Sequence, residues 1–363
     1  MFCWPQPLTR LRPTELMCTH MNCLGTKVFM ADNFSDLSYH VGTYGNNTLW
    51  VCDSNTARMV RPLPKPNVIL EAGESSKSFT CLERIITVAM DSNLGRDCTF
   101  IALGGGMICD ITAFAASVYM RGCKVILIPT TLVSMASSVL GGKTSINFRF
   151  AKDIVGTFFP ANEVLICTDS LKSLPAKEYM NGFAEVLKHS LLTKDDSLFN
   201  IVAKDKQKIM DRDTETLKKV ISISLKIKKS YVDNDPYDRL GLRAALNLGS
   251  TLAYALEGMS RLQWSSGQAV AWGVCKSMEI SRELGICSPD FAAGVIKLFA
   301  FYGFDVNYRI QRGDWMDYRV QLNKNRKGIN GVPSFVLLKD QGEYDIRTVD
   351  EELIKGIVMV PSV

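Results

Sequence analysis

The sequence predicts an α/β fold in two parts: a Rossmann-like nucleotide-binding domain on a mainly parallel sheet, then an all-α domain. Three observations predict it. Strand-like and helix-like runs alternate through the first half of the chain, the pattern of parallel strands joined by helical crossovers. Three consecutive glycines, Gly104, Gly105 and Gly106, join one such strand to one such helix. From about residue 173 onward the apolar spacing is helical.

The alternation opens with a strand at 47–52 (NTLWVC), followed at its C-terminal end by Asp53, Ser54 and Asn55. A second strand is expected at 67–70 (NVIL). Residues 79–90 have helical apolar spacing, with Ser78 placed to cap them. Residues 99–103 (TFIAL) read as a strand, the glycines as its turn, and 107–116 (MICDITAFAA) as the next helix. Strands at 124–128 (KVILI), ending at Pro129, Thr130 and Thr131, and at 164–167 (VLIC) complete this part. Beyond it, Ser173 is placed to cap and Pro175 to open a helix reaching about Leu192. Further helices are expected at 213–232, 244–258 and 268–284, the last stopped by Gly285. The expected divisions are 1–40 for an N-terminal extension with its leading strands, 41–170 for the nucleotide-binding domain and 171–363 for the helical domain.

A length of 363 residues suits about two domains. No apolar run approaches the roughly 18–20 residues that span a bilayer. Residues 1–24 are not expected to be a secretory signal, because Arg10, Arg12 and Glu15 interrupt any apolar core. Eleven cysteines without a CxxC motif read as free thiols of a reducing compartment, so the expected location is cytoplasmic. The net charge of +5 is spread out, and Lys206, Lys208, Lys218, Lys219, Lys226, Lys228 and Lys229 fit a solvated helix face. Neither nucleic acid nor membrane is an expected partner.

A strand, a glycine-rich turn and a helix let backbone N–H groups approach a pyrophosphate, since no Cβ intervenes and the first helical N–H groups face the anion. The triplet alone also suits a plain tight turn. Asp53 either binds ribose hydroxyls, with Asn55 nearby, or forms a local turn.

Longer motifs around and beyond the triplet are more specific. Residues 103–122 read LGGGMICDITAFAASVYMRG, and 128–147 read IPTTLVSMASSVLGGKTSIN. SLKSLPAKEYMNGFAEVLK stands at 170–188, GLRAALNLG at 241–249 and SGQAVAWG at 266–273. In these motifs and their order the chain resembles 3-dehydroquinate synthases and the wider sugar-phosphate cyclase family, from about Trp50 onward. The resemblance implies NAD as cofactor. It assigns the NAD site to Asp53, Asn55, Glu74, Lys77, Gly105, Gly106, Asp110, Thr130, Thr131, Lys143, Lys152, Ser170 and Ser173. Cys109 stands where the family has glycine, so its Cβ is expected to crowd the turn without abolishing binding.

The resemblance also implies a small anionic, phosphorylated substrate and a homodimer. Its cationic and polar contacts map to Arg121, Lys143, Lys188, Lys228, Arg243 and Asn247, with Lys324 a looser match. Arginine grips phosphate or carboxylate with two parallel N–H bonds, and lysine acts as a mobile point charge. Three partners differ: Ser137 replaces Asp, Asp153 replaces Asn and Asp238 replaces Glu. Asp153 adds negative charge beside a phosphate site.

In the family one glutamate and two histidines hold a divalent metal, usually zinc. Glu185 matches the glutamate, but Ser250 and Ser266 stand at the histidines. Tyr254 replaces a further, catalytic histidine, and Gln268 a nearby Glu. The three histidines of the chain, His20, His40 and His189, lie elsewhere; His189 reads as an ordinary helix residue or a substitute ligand. Serine hydroxyls are poor zinc ligands beside imidazole, so zinc binding is not expected here. The implied reaction oxidises a substrate hydroxyl with NAD, eliminates phosphate, returns the hydride and closes a ring by aldol addition. It would need metal-free alcohol activation, with Tyr254 as base beside Lys188 or Lys143. The alternatives are a non-catalytic homologue that binds NAD and an anion, or a metal-independent cyclase or polyol-phosphate dehydrogenase of altered substrate.

Overall fold

A computed structural model describes residues 19–31, 33–149, 151–260, 263–324 and 332–361. Residues 1–18 and 32 of the expected N-terminal extension, and the side chain of His20, lie outside the described residues. The chain divides into two compact units: Met1–Pro175 with Thr214–Ile221, and Ala176–Asp213 with Ser222–Val363.

The first unit is built on a seven-stranded sheet of order β1-β2-β9-β6-β5-β3-β4. Its strands are β1 (Thr19–Cys23), β2 (Thr26–Ala31), β3 (Thr48–Asp53), β4 (Asn67–Leu70), β5 (Thr99–Gly104), β6 (Lys124–Pro129) and β9 (Glu163–Cys167). Only β1 pairs antiparallel; the other neighbours run parallel. Every residue of β3 and β5 is buried, as expected for parallel strands covered on both faces. Trp50, Ile101, Ile126 and Leu165 carry one face of the sheet into the core. Helices α1 (Phe34–Gly42), α2 (Phe79–Asp91) and α3 (Gly106–Val118) belong to this unit. Ser78 caps α2 by accepting from Cys81 N.

Strand order decides where a ligand goes. From β3 the chain moves outward to β4, then returns to the other side of β3 for β5. The order therefore reverses between β3 and β5, and in open α/β sheets ligands bind outside the strand C-termini at such a point. Those termini carry Asp53 and Gly104.

Between β6 and β9 the chain adds an antiparallel hairpin, β7 (Lys143–Phe148) and β8 (Ala151–Phe158), outside the main sheet. Sequence reasoning misses it because β8 is solvent-facing along most of its length and lacks an apolar run. The one-turn helix α4 (Asp169–Lys172) comes after β9. Ser173 does not cap the next helix: it ends α4, and its Oγ donates to Ser170 O at 3.3 Å.

The second unit is helical: α5 (Ala176–Ser190), α6 (Ser197–Lys204), α7 (Lys206–Met210), α9 (Ser250–Met259), α10 (Ser266–Glu283), α11 (Pro289–Phe301), α12 (Trp315–Asn323) and α13 (Glu351–Val358). Helix α8 (Thr214–Asn234) is divided between the two units after Ile221. A hairpin of β10 (Ser334–Asp340) and β11 (Glu343–Thr348) is added to the helices. Among the described residues no helix is long and apolar enough to cross a membrane. The continuous helix expected over 244–258 is broken: a 3-10 turn covers Leu242–Asn247, and α9 starts only at Ser250. Gly249 makes the break, with φ +74. A Cβ there would lie 2.4 Å from Val274 N, so α9 begins pressed against α10.

Candidate functional site

The glycine turn closes β5 onto α3. Gly105 occupies the N-cap position of α3 without any side-chain cap, which leaves the first helical N–H groups to an external acceptor. A Cβ on Gly105 would lie 3.0 Å from Thr131 Cγ2. Thr131 in turn bonds Ser134 Oγ at 2.8 Å, and the buried Thr130 donates its N–H to Gly104 O. Ser138 Oγ is buried without a hydrogen-bond partner among the described residues, and it lines a small cavity with Asp110, Gly142 and Lys143. Cys109 fits the junction: it is buried and its Sγ is 3.6 Å from Gly104 O. At the end of β3, Asp53 Oδ1 accepts from Asn55 N, Thr56 N and Thr56 Oγ1, so one carboxylate oxygen builds the local turn.

Beside this turn lies an ionic cluster that sequence reasoning does not assemble. Lys77 Nζ donates to Asp110 Oδ2 at 2.5 Å and also to Asp153 Oδ1. Ser145 Oγ donates to Asp153 Oδ1 at 2.9 Å, and Asn147 Nδ2 to Glu74 Oε1 at 2.9 Å. Burial lifts the Asp110 carboxyl to about 6 despite the pull of Lys77. For Asp153, burial is outweighed by Lys77 with its neighbours, which hold the carboxyl below its usual range. Burial opposes the Lys77 charge, but the two carboxylates prevail and raise its pKa.

Other expected contacts of this unit are structural or open to solvent. Ser170 is buried and donates to Cys167 O at 3.1 Å. Asn55, Lys143, Lys152 and Ser173 are exposed. Arg121 is exposed in a turn where Met120, Arg121 and Gly122 have φ +47, +63 and +114.

In the second unit, one turn of α5 brings Lys188 Nζ to 2.9 Å from Glu185 Oε1 and 2.8 Å from Oε2. Burial favours the neutral acid, but Lys188, His189 and Lys228 outweigh it and hold Glu185 low. His189 is 1% exposed, with Nδ1 2.5 Å from Ser224 Oγ, and burial depresses its pKa to about 3. It is a neutral core residue. Lys228 departs from the expected solvated face, being buried on α8.

A cavity of about 240 Å³ is lined by Asp238, Asn247, Ser250, Thr251, Tyr254 and Ser334, among others. Ser250 and Tyr254 are one turn apart on α9, and Thr251 Oγ1 ties that helix to the hairpin through Ser334 O at 2.9 Å. The loop before it is organised by Asp235, a residue the sequence pattern does not single out. Its Oδ1 accepts from Arg239 N at 2.8 Å and Leu240 N at 3.1 Å, and its Oδ2 from Leu242 N at 3.1 Å and Arg243 N at 3.4 Å. Burial alone would raise this carboxyl; the N–H groups prevail and hold it low. Arg243 is buried and donates Nη1 to Pro236 O at 3.0 Å.

The family model described as 3-dehydroquinate synthase N-terminal matches residues 67–181, and that described as 3-dehydroquinate synthase C-terminal matches 182–327. The 3-dehydroquinate synthase of Acidithiobacillus ferrooxidans is 40% identical over 304 residues, covering 80% of this chain and 82% of that one. The chain belongs to the 3-dehydroquinate synthase family. A relative from Shewanella sp. with the same name is 34% identical over 295 residues, covering 80% and 81%. The dehydroquinate synthase-like fold is shared with a solved 2-epi-5-epi-valiolone synthase from Streptomyces hygroscopicus subsp. jinggangensis, bound to NAD+ and Zn2+. That match has a TM-score of 0.81 and 21% identity, covering 97% of this chain and 98% of the other.

Against the 3-dehydroquinate synthase pattern, the two possible ligand groups fare differently. The uncapped α3, the close approach at Gly105 and the unpartnered Ser138 hydroxyl fit a dinucleotide phosphate. The metal donors do not fit a zinc ion. Both Glu185 oxygens lie on Lys188, Ser250 and Ser266 offer hydroxyls, and Gln268 bonds Asp305 through its amide. Among the described residues no group of three or more His, Cys, Asp or Glu side chains is placed to hold a metal. The loosely matched Lys324 is exposed at the end of α12, 3.4 Å from Gln321 Oε1.

Proposed function

We propose that this chain is an NAD-dependent 3-dehydroquinate synthase-like protein that eliminates phosphate from, and cyclises, a seven-carbon sugar acid phosphate without a bound metal. The observation that carries the reading is the cavity that gathers Asp238, Asn247, Ser250 and Tyr254. A phenol, an amide, a hydroxyl and a carboxylate around one space suit a polyhydroxylated ligand, each able to exchange hydrogen bonds with a substrate hydroxyl.

Bound NAD supplies a hydride acceptor and donor. Gly105 and Gly106 leave the α3 N–H groups open to its pyrophosphate, with Thr130 and Thr131 beside them. Asp53 Oδ2 is left for ribose, since Oδ1 is taken by the turn. Lys143 offers a positive charge from the start of β7. In the second unit Tyr254 Oη, once ionised to the phenolate, takes the proton of the substrate hydroxyl, while Asn247 and Ser250 orient its neighbours. The Lys188 ammonium neutralises Glu185, so the carboxylate does not repel an anionic substrate. The homodimer and the phosphorylated, anionic substrate are part of the same proposal. The test is a coupled assay for phosphate release from the seven-carbon acid phosphate with NAD, with and without zinc or a chelator. Phosphate release that a chelator leaves unchanged supports the reading.

The Glu185–Lys188 pair favours a second reading, a non-catalytic homologue that binds NAD and an anion. Calorimetric NAD binding with no phosphate release under any metal condition selects it.

A further inference from the structure

Lys77 is 5% exposed, yet its ammonium faces two carboxylates. Asp110 arrives from α3 and Asp153 from β8. When both are ionised, Lys77 and its two carboxylates together carry one excess negative charge, while Glu74 acts on Asp110 and Lys152 on Asp153 from nearby. The two acids are not equivalent. The Asp153 side chain is 53% exposed against 21% for Asp110, so Asp153 is the partner that a dissolved anion meets first and must displace. It is also held in place. Its backbone is left-handed at φ +54, its N–H donates to Asn147 Oδ1 at 2.9 Å, and Ser145 Oγ donates to its carboxylate at 2.9 Å. A conformation that costs energy and is fixed by two neighbouring side chains aims this carboxylate at Lys77.

We propose that Asp153 is a specificity-determining residue: as resident counter-anion of Lys77, it disfavours ligands that bring a doubly charged phosphate here and favours those that bring one negative charge or none. The inference rests on reading the surroundings of the Gly105 turn as an anion-binding site. It adds to that reading a rank order among anions. An incoming phosphate finds the ammonium already neutralised and a second carboxylate within a few ångströms. For a half-exposed carboxylate the effective dielectric approaches that of water, where a unit charge about 4 Å away alters affinity several-fold to roughly tenfold.

Asp153→Asn tests this directly, since asparagine keeps the shape, tolerates the left-handed backbone and removes only the charge. Thermal unfolding of the full chain is followed in rising inorganic phosphate, and NAD binding is measured by calorimetry on the same samples. The expected result is several-fold to roughly tenfold tighter apparent phosphate binding by Asp153→Asn than by the native chain. That gain should vanish when Lys77→Met is combined with it. Phosphate binding no tighter in Asp153→Asn, or a gain that survives without Lys77, overturns the proposal. Asp153→Ser supplies the same comparison if the asparagine variant folds poorly. Failure of every form to bind NAD counts against the functional reading alone, because the phosphate titration reports on Asp153 separately.

Discussion

Lys188 Nζ bridges the two oxygens of Glu185, at 2.9 Å and 2.8 Å, so one ammonium satisfies the whole carboxylate. Removing either partner strands the other charge in a largely buried place. Lys188→Met should lower stability by about 3 kcal/mol, read from urea unfolding. Glu185→Gln with Lys188→Met together should cost less than Lys188→Met alone, because the Glu185 carboxylate is no longer left charged without its bridging ammonium. Equal losses would mean the pair is not coupled.

Zinc uptake separates the donor argument from the rest. Calorimetric titration of the full chain is expected to show no stoichiometric zinc site. The double substitution Ser250→His with Ser266→His should create one, since imidazole is a far better ligand than hydroxyl. Tight binding of one zinc per native chain would remove the basis for a metal-free reaction.

Gly105→Ala places a methyl group 3.0 Å from Thr131 Cγ2 and at the mouth of α3. NAD affinity is expected to fall about tenfold, or roughly 1.4 kcal/mol, in calorimetry. Undiminished affinity would show that the turn does not face the cofactor.

Tyr254→Phe deletes a hydroxyl on the cavity wall while keeping the ring. If Tyr254 moves the substrate proton, phosphate release should drop on the order of 100-fold or more, with NAD binding retained. An unchanged rate would rule out the tyrosine as base.

His189 makes stability depend on pH. Its folded pKa is about 3 against an ordinary value of 6.5, so below 6.5 the unfolded chain binds the additional proton. Stability is therefore fully present above about 6.5 and declines as pH falls toward 3, by up to about 1.4 kcal/mol per pH unit from this group. His189→Gln should flatten that part of the curve. A native curve with no decline across this window would contradict a buried neutral imidazole.

The sheet is legible in the sequence because its strands are apolar on both faces: the expected strand 67–70 agrees to the residue, and 47–52 and 99–103 agree within one. The break before α9 is not legible, because nothing in an apolar helical pattern reveals that Gly249 adopts φ +74 against α10. Lys228 reads with its charged neighbours as solvated, whereas tertiary packing buries it within reach of Glu185 and His189. Asp110 and Lys77 are each recognisable, but their union with Asp153 depends on the β7–β8 hairpin, which has no apolar signature. Asp235 escapes notice because it acts on backbone N–H groups, which leave no pattern of residue types.

The four backbone groups gathered by Asp235 set the course of residues 239–243, and the Arg243 side chain adds its own bond from Nη1 to Pro236 O. Because a backbone N–H donates whatever side chain it carries, residues 239, 240 and 242 can change type, proline excepted, while the loop keeps its route. Divergence at those three positions spares the path that carries Asp238 and Gly241 to the cavity wall.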